Sequence, residues 1–260
     1  MQLFDIGVNL TNARLSQDLD SVIQSALAAG VKKQLVTGTD EQESVAALAL
    51  CHRYPDVLLA TAGVHPHYAK DTSEDFIDGL RHLAADPYVV AIGECGLDFN
   101  RNFSPRDAQL RVFEAQLQLA CELKLPVFLH ERDAFAEQVS LLRAYQQELV
   151  GGVAHCFTGD EAQMHAYLEL GLSIGITGWV CDDKRGTDLQ QAVKSLPLER
   201  LMLETDAPYL TPKNVRPTPK FNQPALLPLV AQKLAELREQ DVELITQLAW
   251  HNALSMFTKK

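Results

Sequence analysis

Short apolar runs alternate with amphipathic segments along the whole chain. Eight of the runs are too short for helices and contain few polar residues, which is typical of parallel strands buried on both faces. These runs cover residues 3–8, 34–37, 57–63, 89–94, 127–130, 152–156, 172–176 and 201–204. The pattern therefore predicts a parallel sheet.

The segments between the runs have helical periodicity. Leu110, Phe113 and Leu117 recur at helical spacing, and the preceding Ser104 and Pro105 predict an N-cap followed by proline at the first helical position. Eight strands that alternate with helices or loops predict an α/β fold of the TIM (β/α)8 barrel type, with residues 1–260 as a single domain. A doubly wound sheet is the alternative, but the first strand is not followed by a Gly-x-Gly-x-x-Gly motif.

Composition limits the partners that this chain can have. The formal net charge of −11 gives no overall basic surface for nucleic acid, so a polyanionic substrate needs a local basic site or a metal ion. The five cysteines are scattered and form no Cys-x-x-Cys pair, which indicates a reducing compartment. With neither a secretory leader nor an apolar run long enough to span a bilayer, we expect a cytoplasmic monomer without a membrane partner.

Histidines and carboxylates occur where four of the predicted strands end. In parallel barrels the active site lies at the C-terminal ends of the strands, so these four side chains are expected to meet there. A mixed nitrogen and oxygen site of this kind suits a divalent ion such as Mg²⁺, Zn²⁺ or Mn²⁺. One such histidine could simply satisfy a local hydrogen bond, but four residues together predict metal ligands. The predicted ligands are Glu94, His130, His155 and Asp206.

Other residues at the same strand ends are candidates for catalysis. Asp206 is the predicted general base, because a carboxylate at the metal can accept a proton from bound water. Glu204 supports a ligand or a second ion, or forms a structural ion pair. His65 is predicted to bind a phosphate or product oxygen, to hydrogen-bond a metal ligand, or to balance charge on the leaving group. His67 is either an exposed loop residue or a partner of a ligand, and Asp98 either orients a ligand or caps a turn.

Basic residues are concentrated in the loops that follow the predicted strands, on the side of the candidate ligands. Arg132 and Arg216 are the predicted phosphate contacts, although loop residues are commonly hydrophilic for other reasons. The chain has no Gly-x-Ser-x-Gly elbow, no P-loop and no cysteine that stands out as a nucleophile. Water activated by a metal is therefore the predicted nucleophile.

Several motifs together resemble the TatD family of metal-dependent hydrolases. The most specific is ETDAPYL at residues 204–210, and the resemblance extends nearly from end to end. The other matching segments are AGVHPH at 62–67, IGECGLD at 92–98, the strand that ends at His130 and HCFTG at 155–159.

The resemblance implies a TIM barrel and a divalent metal, usually Mg²⁺. It also implies hydrolysis of phosphodiester bonds, with 3′→5′ exonuclease action on single-stranded DNA, RNA as a second substrate, and a role in DNA repair. One stretch departs from the family pattern. Many members begin with Asp-x-His-x-His, which adds two metal ligands, whereas this chain has Asp5, Gly7 and Asn9 at those positions. A mechanism with two metal ions is therefore in doubt.

Two other functions remain open from the residues alone. One is an amidohydrolase-type enzyme that acts on small amides or esters, because fold does not determine substrate. The other is a metal-binding barrel with weak catalysis that serves as a partner in an assembly. The basic residues near the candidate site favour a phosphate substrate over both.

Overall fold

The structure, a computed structural model, describes residues 1–258. Its eight strands belong to one sheet in the order β1 to β8, and the pairs have parallel registers. A parallel sheet in sequence order, with helices between its strands, has the topology of the predicted (β/α)8 fold. The strands are β1 Leu3–Val8, β2 Val31–Val36, β3 Leu58–Ala62, β4 Val89–Asp98, β5 Val127–Arg132, β6 Gly152–Ala154, β7 Ser173–Ile176 and β8 Leu201–Leu203.

Helices follow the strands, as the periodicity of the intervening segments predicts. Short 3-10 helices occur at Pro66–Asp71, Gly178–Cys181, Leu198–Arg200 and Pro224–Leu226. Within the described part of the chain, none of the helices has the length and hydropathy of a transmembrane segment. The α-helices are α1 Ala13–Ser16, α2 Leu19–Ala28, α3 Glu41–Arg53, α4 Phe76–Ala84, α5 Arg106–Leu123, α6 Phe135–Tyr145, α7 Glu161–Glu169, α8 Thr187–Ser195, α9 Leu227–Arg238 and α10 Val242–Phe257.

Strand β2 begins earlier than its apolar run. Val31 is buried and starts the strand, but Lys32 and Lys33 separate it from the apolar run at residues 34–37. Lys32 is exposed, and its ammonium group donates to the carbonyl oxygen of Leu27 at 2.8 Å. Lysine can extend a buried strand in this way because its long side chain carries the charge out to the surface.

The start of α5 corrects the predicted cap. Pro105, not Ser104, is the N-cap residue, and the helix begins at Arg106. The hydroxyl of Ser104 is used elsewhere: it donates to the carbonyl oxygen of His67 at 2.8 Å and accepts from the amide of Lys70 at 3.1 Å. A serine before a helix caps it only if its side chain turns toward the helix, and here a tertiary contact competes successfully.

The chain divides into two compact units. Unit 1 contains Met1–Val36, Cys156–Leu168 and Ile174–Ser255, and therefore strands β1, β2 and β8 and most of β7. Unit 2 contains Thr37–His155, with short pieces at Glu169–Ser173 and from Met256 onward, and therefore β3 to β6. Each unit has a buried core, and all ten residues of β4 are buried. A single domain over residues 1–260 stays a prediction.

Candidate metal centre

In unit 2 the carboxylate of Glu94 lies among three histidine side chains. Its Oε1 atom is 3.0 Å from His130 Nδ1, 3.4 Å from His65 Nε2 and 3.7 Å from His155 Nε2. Glu94 lies in β4 and His130 in β5, while His155 directly follows β6 and His65 follows β3. Four consecutive strands thus bring together four side chains, one glutamate and three histidines, of types that can bind a metal, as expected for strand ends of a parallel sheet.

Two glycines of β4 allow Glu94 to reach this position. Gly93 and Gly96 have φ angles of 144° and 141°, a region that favours glycine. A Cβ at Gly96 would overlap the carbonyl oxygen of His130, and one at Gly93 would overlap that of Phe128. The register between β4 and β5 shifts between Gly93 and Cys95, so Glu94 lies on a bulge that turns its side chain toward the histidines.

Asp98, at the end of β4, extends the cluster to His67. Its Oδ2 atom is 2.6 Å from His67 Nε2 and 3.5 Å from His130 Nε2. Its Oδ1 atom accepts from the amides of Asn100 and Arg101 at 3.0 and 2.7 Å. Asp98 therefore caps the following turn and holds the ring of His67 by a hydrogen bond. Its role in orienting a metal ligand stays a prediction.

The residues of this cluster shift one another's pKa values and so set one another's charge. Burial alone would raise the pKa of Glu94, but the imidazoles of His65, His155 and His130 hold the pKa of this carboxyl well below its ordinary value. Burial and the neighbouring His130 lower the pKa of His65 to about 4. Burial also disfavours charge on His130, but the carboxylates of Asp98 and Glu94 raise its pKa to about 9. Glu94 is thus ionised and His65 neutral at neutral pH.

These residues fit a divalent metal ion. Ligand atoms of His65, Glu94 and His130 all lie within 4.8 Å of one another. An ionised carboxylate and a neutral imidazole are the protonation states that a metal requires, and binding would release the proton of His130. Within residues 1–258, His130 Nε2 is one of the few buried polar side-chain atoms without a hydrogen-bond partner. The role of His65 stays a prediction, and its ring lies 3.4 Å from Oε1 of Glu94, one of the predicted ligands.

Asp206 lies in unit 1, where Asn9 orients it. The amide nitrogen of Asn9 is 3.0 Å from Asp206 Oδ1 and 3.2 Å from the carbonyl oxygen of Ala207. Both of these atoms are acceptors, so the donor end of the Asn9 amide must face them. The backbone amide of Asp206 donates to the carbonyl oxygen of Gly7 at 2.8 Å. Gly7 and Asn9, the two positions that lack a histidine, thus hold the segment that carries Asp206.

Glu204 is buried two residues before Asp206, also in unit 1. Its side chain accepts a short hydrogen bond from the backbone amide of Cys156, at 2.5 Å. Cys156 is half-buried and follows the end of β6 at Ala154, whereas Cys95 of β4 is fully buried.

Asp5 is a buried acid that the sequence did not single out for a role. Its Oδ1 atom accepts from the Thr205 amide at 2.8 Å and its Oδ2 atom from the Thr205 hydroxyl at 2.5 Å. Burial raises the pKa of Asp5 to about 8, although the hydrogen bonds from Thr205 oppose this shift. Asp5 is therefore protonated at neutral pH and fixes the residue that precedes Asp206.

Asp5 makes a pH-dependent contribution to stability. Its pKa is 3.8 in a model peptide and about 8 in the fold, so between these values the folded chain binds a proton that the unfolded chain has lost. The free energy of unfolding should therefore fall as pH rises from about 4 to about 8, and Asp5→Asn should remove this part of the decline. Urea unfolding across this pH range measures it. Asp18→Asn, at an exposed residue of unit 1, is the control; equal slopes in both variants would contradict the prediction.

The two predicted phosphate contacts are both exposed. Arg132 ends β5, and its backbone pairs with Asp98 of the candidate metal centre. Arg216 lies in the loop between β8 and α9, in unit 1, and its guanidinium donates to the carbonyl oxygens of Lys213 and Val215 at 2.8 and 2.6 Å. Arg216 is thus fixed by its own loop, with further N–H groups left for other acceptors.

Three buried glutamines hold the strand ends of unit 2, and the reasoning from sequence missed them. Gln116 of α5 accepts from the amide of Val64 at 2.8 Å and donates to its carbonyl oxygen at 3.0 Å. Gln109 makes the same pair of bonds with Asp98, at 2.8 and 3.1 Å. Gln138 of α6 accepts from the amide of Leu97 at 3.1 Å. An apolar stripe interrupted by glutamine at buried positions is the only signal that could have indicated them.

Known proteins show strong similarity to this chain. A family model described as "TatD related DNase" matches residues 4–258. A protein named "3′-5′ ssDNA/RNA exonuclease TatD" from Rahnella sp. (strain Y9602) is 49% identical over 257 residues, which cover 98% of each chain. A protein of the same name from Pectobacterium parmentieri is 48% identical and covers 98% of this chain and 99% of its own length.

A solved structure supports the same assignment. The TatD homologue YjjV from Escherichia coli K12 superposes with a TM-score of 0.91 at 29% identity, over 99% of this chain and 98% of its own. The predicted (β/α)8 fold class is thereby confirmed. Sequence, site and fold agree: the chain belongs to the family of TatD-related DNases and is a hydrolase of the nuclease class.

Proposed function

We propose that this protein is a metal-dependent 3′→5′ exonuclease that acts on single-stranded DNA and on RNA. The observation that carries the proposal is the Glu94 carboxylate within 3.7 Å of three imidazoles, at the strand ends where this fold carries its chemistry. Relatives that match over 98% of the chain bear the name of this activity.

The proposed ligands are Glu94, His130, His155 and Asp206, with Mg²⁺ as the ion. Carboxylate oxygens suit Mg²⁺, while the imidazoles would also accept Zn²⁺ or Mn²⁺. A bound divalent ion would lower the pKa of a water ligand and neutralise charge on the phosphate. Asp206 follows strand β8, and Asn9 orients its carboxylate.

The chain's own residues supply the proton transfers. Asp206 is the proposed general base, because a carboxylate at the metal can accept a proton from bound water, and Asn9 orients this carboxylate. Neutral His65, beside Glu94, binds the phosphate or serves as a further ligand. Glu204 supports the site by fixing the backbone at Cys156, directly after His155. Asp98 holds His67 in place and lies 3.5 Å from His130 Nε2.

We also propose a role in DNA repair for a monomer in the cytoplasm. The DNA repair role follows from the family resemblance alone. The five cysteines are free in the structure, which agrees with a reducing compartment. The family match from residue 4 to residue 258 supports a chain that acts as one domain.

Degradation of labelled strands tests the function directly. With Mg²⁺, a single strand labelled at its 5′ end should yield a ladder that shortens from the 3′ end, and EDTA should stop the reaction. The same protein should leave a panel of simple esters and amides intact. Hydrolysis of that panel without nucleic acid degradation would favour an amidohydrolase-type enzyme, and no hydrolysis of either would favour a binding protein.

Phosphate contacts should be visible in the salt dependence of binding. The affinity for single-stranded DNA should fall with salt, and Arg132→Ala and Arg216→Ala should each lower the slope of log K against log salt by about 0.7. Affinity titrations at several salt concentrations measure this slope. Arg143→Ala, at an exposed position of α6, is the matched control. Slopes that stay equal in all four proteins would show that both arginines are only solvated surface.

A further inference from the structure

Two exposed aromatic rings lie beside the histidines of unit 2. Phe103 is 56% exposed and Tyr68 is 44% exposed. The Phe103 ring is 4.7 Å from the His67 ring, and the Tyr68 ring is 6.4 Å from the His65 ring. Among residues 1–258 only three aromatic side chains are exposed, and two of them flank this cluster. Burial in a core does not explain their positions.

The loop that carries Phe103 is tied down on both sides of the ring. The side chain of Asn102 donates to the carbonyl oxygen of Phe99 at 2.6 Å. On the other side, the hydroxyl of Ser104 donates to the carbonyl oxygen of His67 at 2.8 Å and accepts from Lys70. The Phe103 ring meets His67 edge to face, at an interplanar angle of 60°. The exposed surface of the ring is therefore held in place before any ligand arrives.

This surface is close to the proposed reaction centre. Phe103 contacts His67, whose Nε2 is 2.6 Å from Asp98, and Asp98 is 3.5 Å from His130. If a nucleotide binds with its phosphate at the Glu94 cluster, its base can reach the Phe103 ring, which contacts His67 beside this cluster. An apolar ring offers no hydrogen bond or charge to a phosphate, but it can stack on the flat face of a base.

We propose that Phe103, with Tyr68 beside it, stacks on an unpaired base next to the phosphate that is cleaved, an inference that rests on the proposed function. Every base has a π face, so stacking accepts any sequence, as an exonuclease must when it moves along a strand. Stacking on a protein ring requires a base that is free of its pairing partner. The two rings thus select single strands.

Strands with and without terminal bases test the stacking role. The substrates are a single-stranded DNA and the same strand with abasic sites in its 3′-terminal nucleotides, both with Mg²⁺. Phe103→Leu should lower kcat/KM on the normal strand about 5- to 150-fold, mainly through KM, since stacking contributes about 1–3 kcal/mol per base and 1.4 kcal/mol is tenfold. On the abasic strand it should match the wild type. Phe103→Trp should keep activity on both.

The controls separate stacking from a covering role and from failure of the function. Leucine still covers His67, so an equal loss on both strands would mean that Phe103 only shields the His67–Asp98 contact, and would overturn the inference. No loss on either strand would overturn it as well. Val150→Ala removes an equally exposed apolar side chain, 56% exposed and located before β6, and should change neither rate. A wild type that degrades no strand would contradict the proposed function itself.

Discussion

Replacing His130 or His155 by alanine is expected to lower nuclease activity at least about 100-fold and to leave the fold intact. Loss of a group that only orients a metal ligand costs 10- to 100-fold, so loss of a ligand should cost more. Both imidazoles lie within 3.7 Å of the Glu94 carboxylate, in the set of residues that we propose as metal ligands. His130 is only half-buried, so its truncation leaves little empty space.

The measurement is a nuclease assay on single-stranded DNA, with far-UV circular dichroism on the same samples. His82→Ala is the matched control, because His82 is an exposed histidine of α4 in the same unit. This variant should keep full activity. A folded His130 or His155 variant with most of the wild-type activity would remove that residue from the proposed ligand set.

One tightly bound metal ion per chain is the second expected result, together with complete loss of activity on chelation. Two-metal phosphodiesterases hold a second ion with ligands on the far side of the pair. In this chain Gly7 has no side chain to offer. Asn9 turns its amide nitrogen toward Asp206 and the carbonyl oxygen of Ala207, so it has only a neutral amide oxygen to offer a cation, a weaker ligand than an imidazole or a carboxylate. A second ion should therefore bind only at high concentration or with a substrate phosphate as co-ligand.

Elemental analysis of the protein after dialysis measures this ratio. Asn9→Ala is the informative variant: the ratio should stay at one, while activity should fall several-fold because Asp206 loses its orienting partner. Glu94→Gln should lose the ion altogether, since it removes the central charge of the cluster. Two ions per chain that survive dialysis would contradict the prediction and would mean that Asn9 or Glu204 binds a metal after all.

The sequence by itself determined the strands and the chemical class of the centre. Runs of apolar residues mark strands that are buried on both faces, and this local pattern located all eight. Because parallel strands end at the same edge, their order also indicated that Glu94, His130 and His155 would be neighbours, although it could not give a distance. Helix periodicity identified α5, but not the residue at which it begins.

Only the tertiary structure decided which partner each polar group takes. The bulge at Glu94 and the ring of His65 are brought together by contacts between segments far apart in the chain, as are Asn9 and Asp206. A hydrogen bond depends on angles and on distances of a few tenths of an ångström, which residue type and spacing do not specify. For the same reason the hydroxyl of Ser104 bonds to His67 rather than capping α5. Phe103 could be recognised only once its ring was found exposed beside His67, because exposure depends on how the whole chain packs.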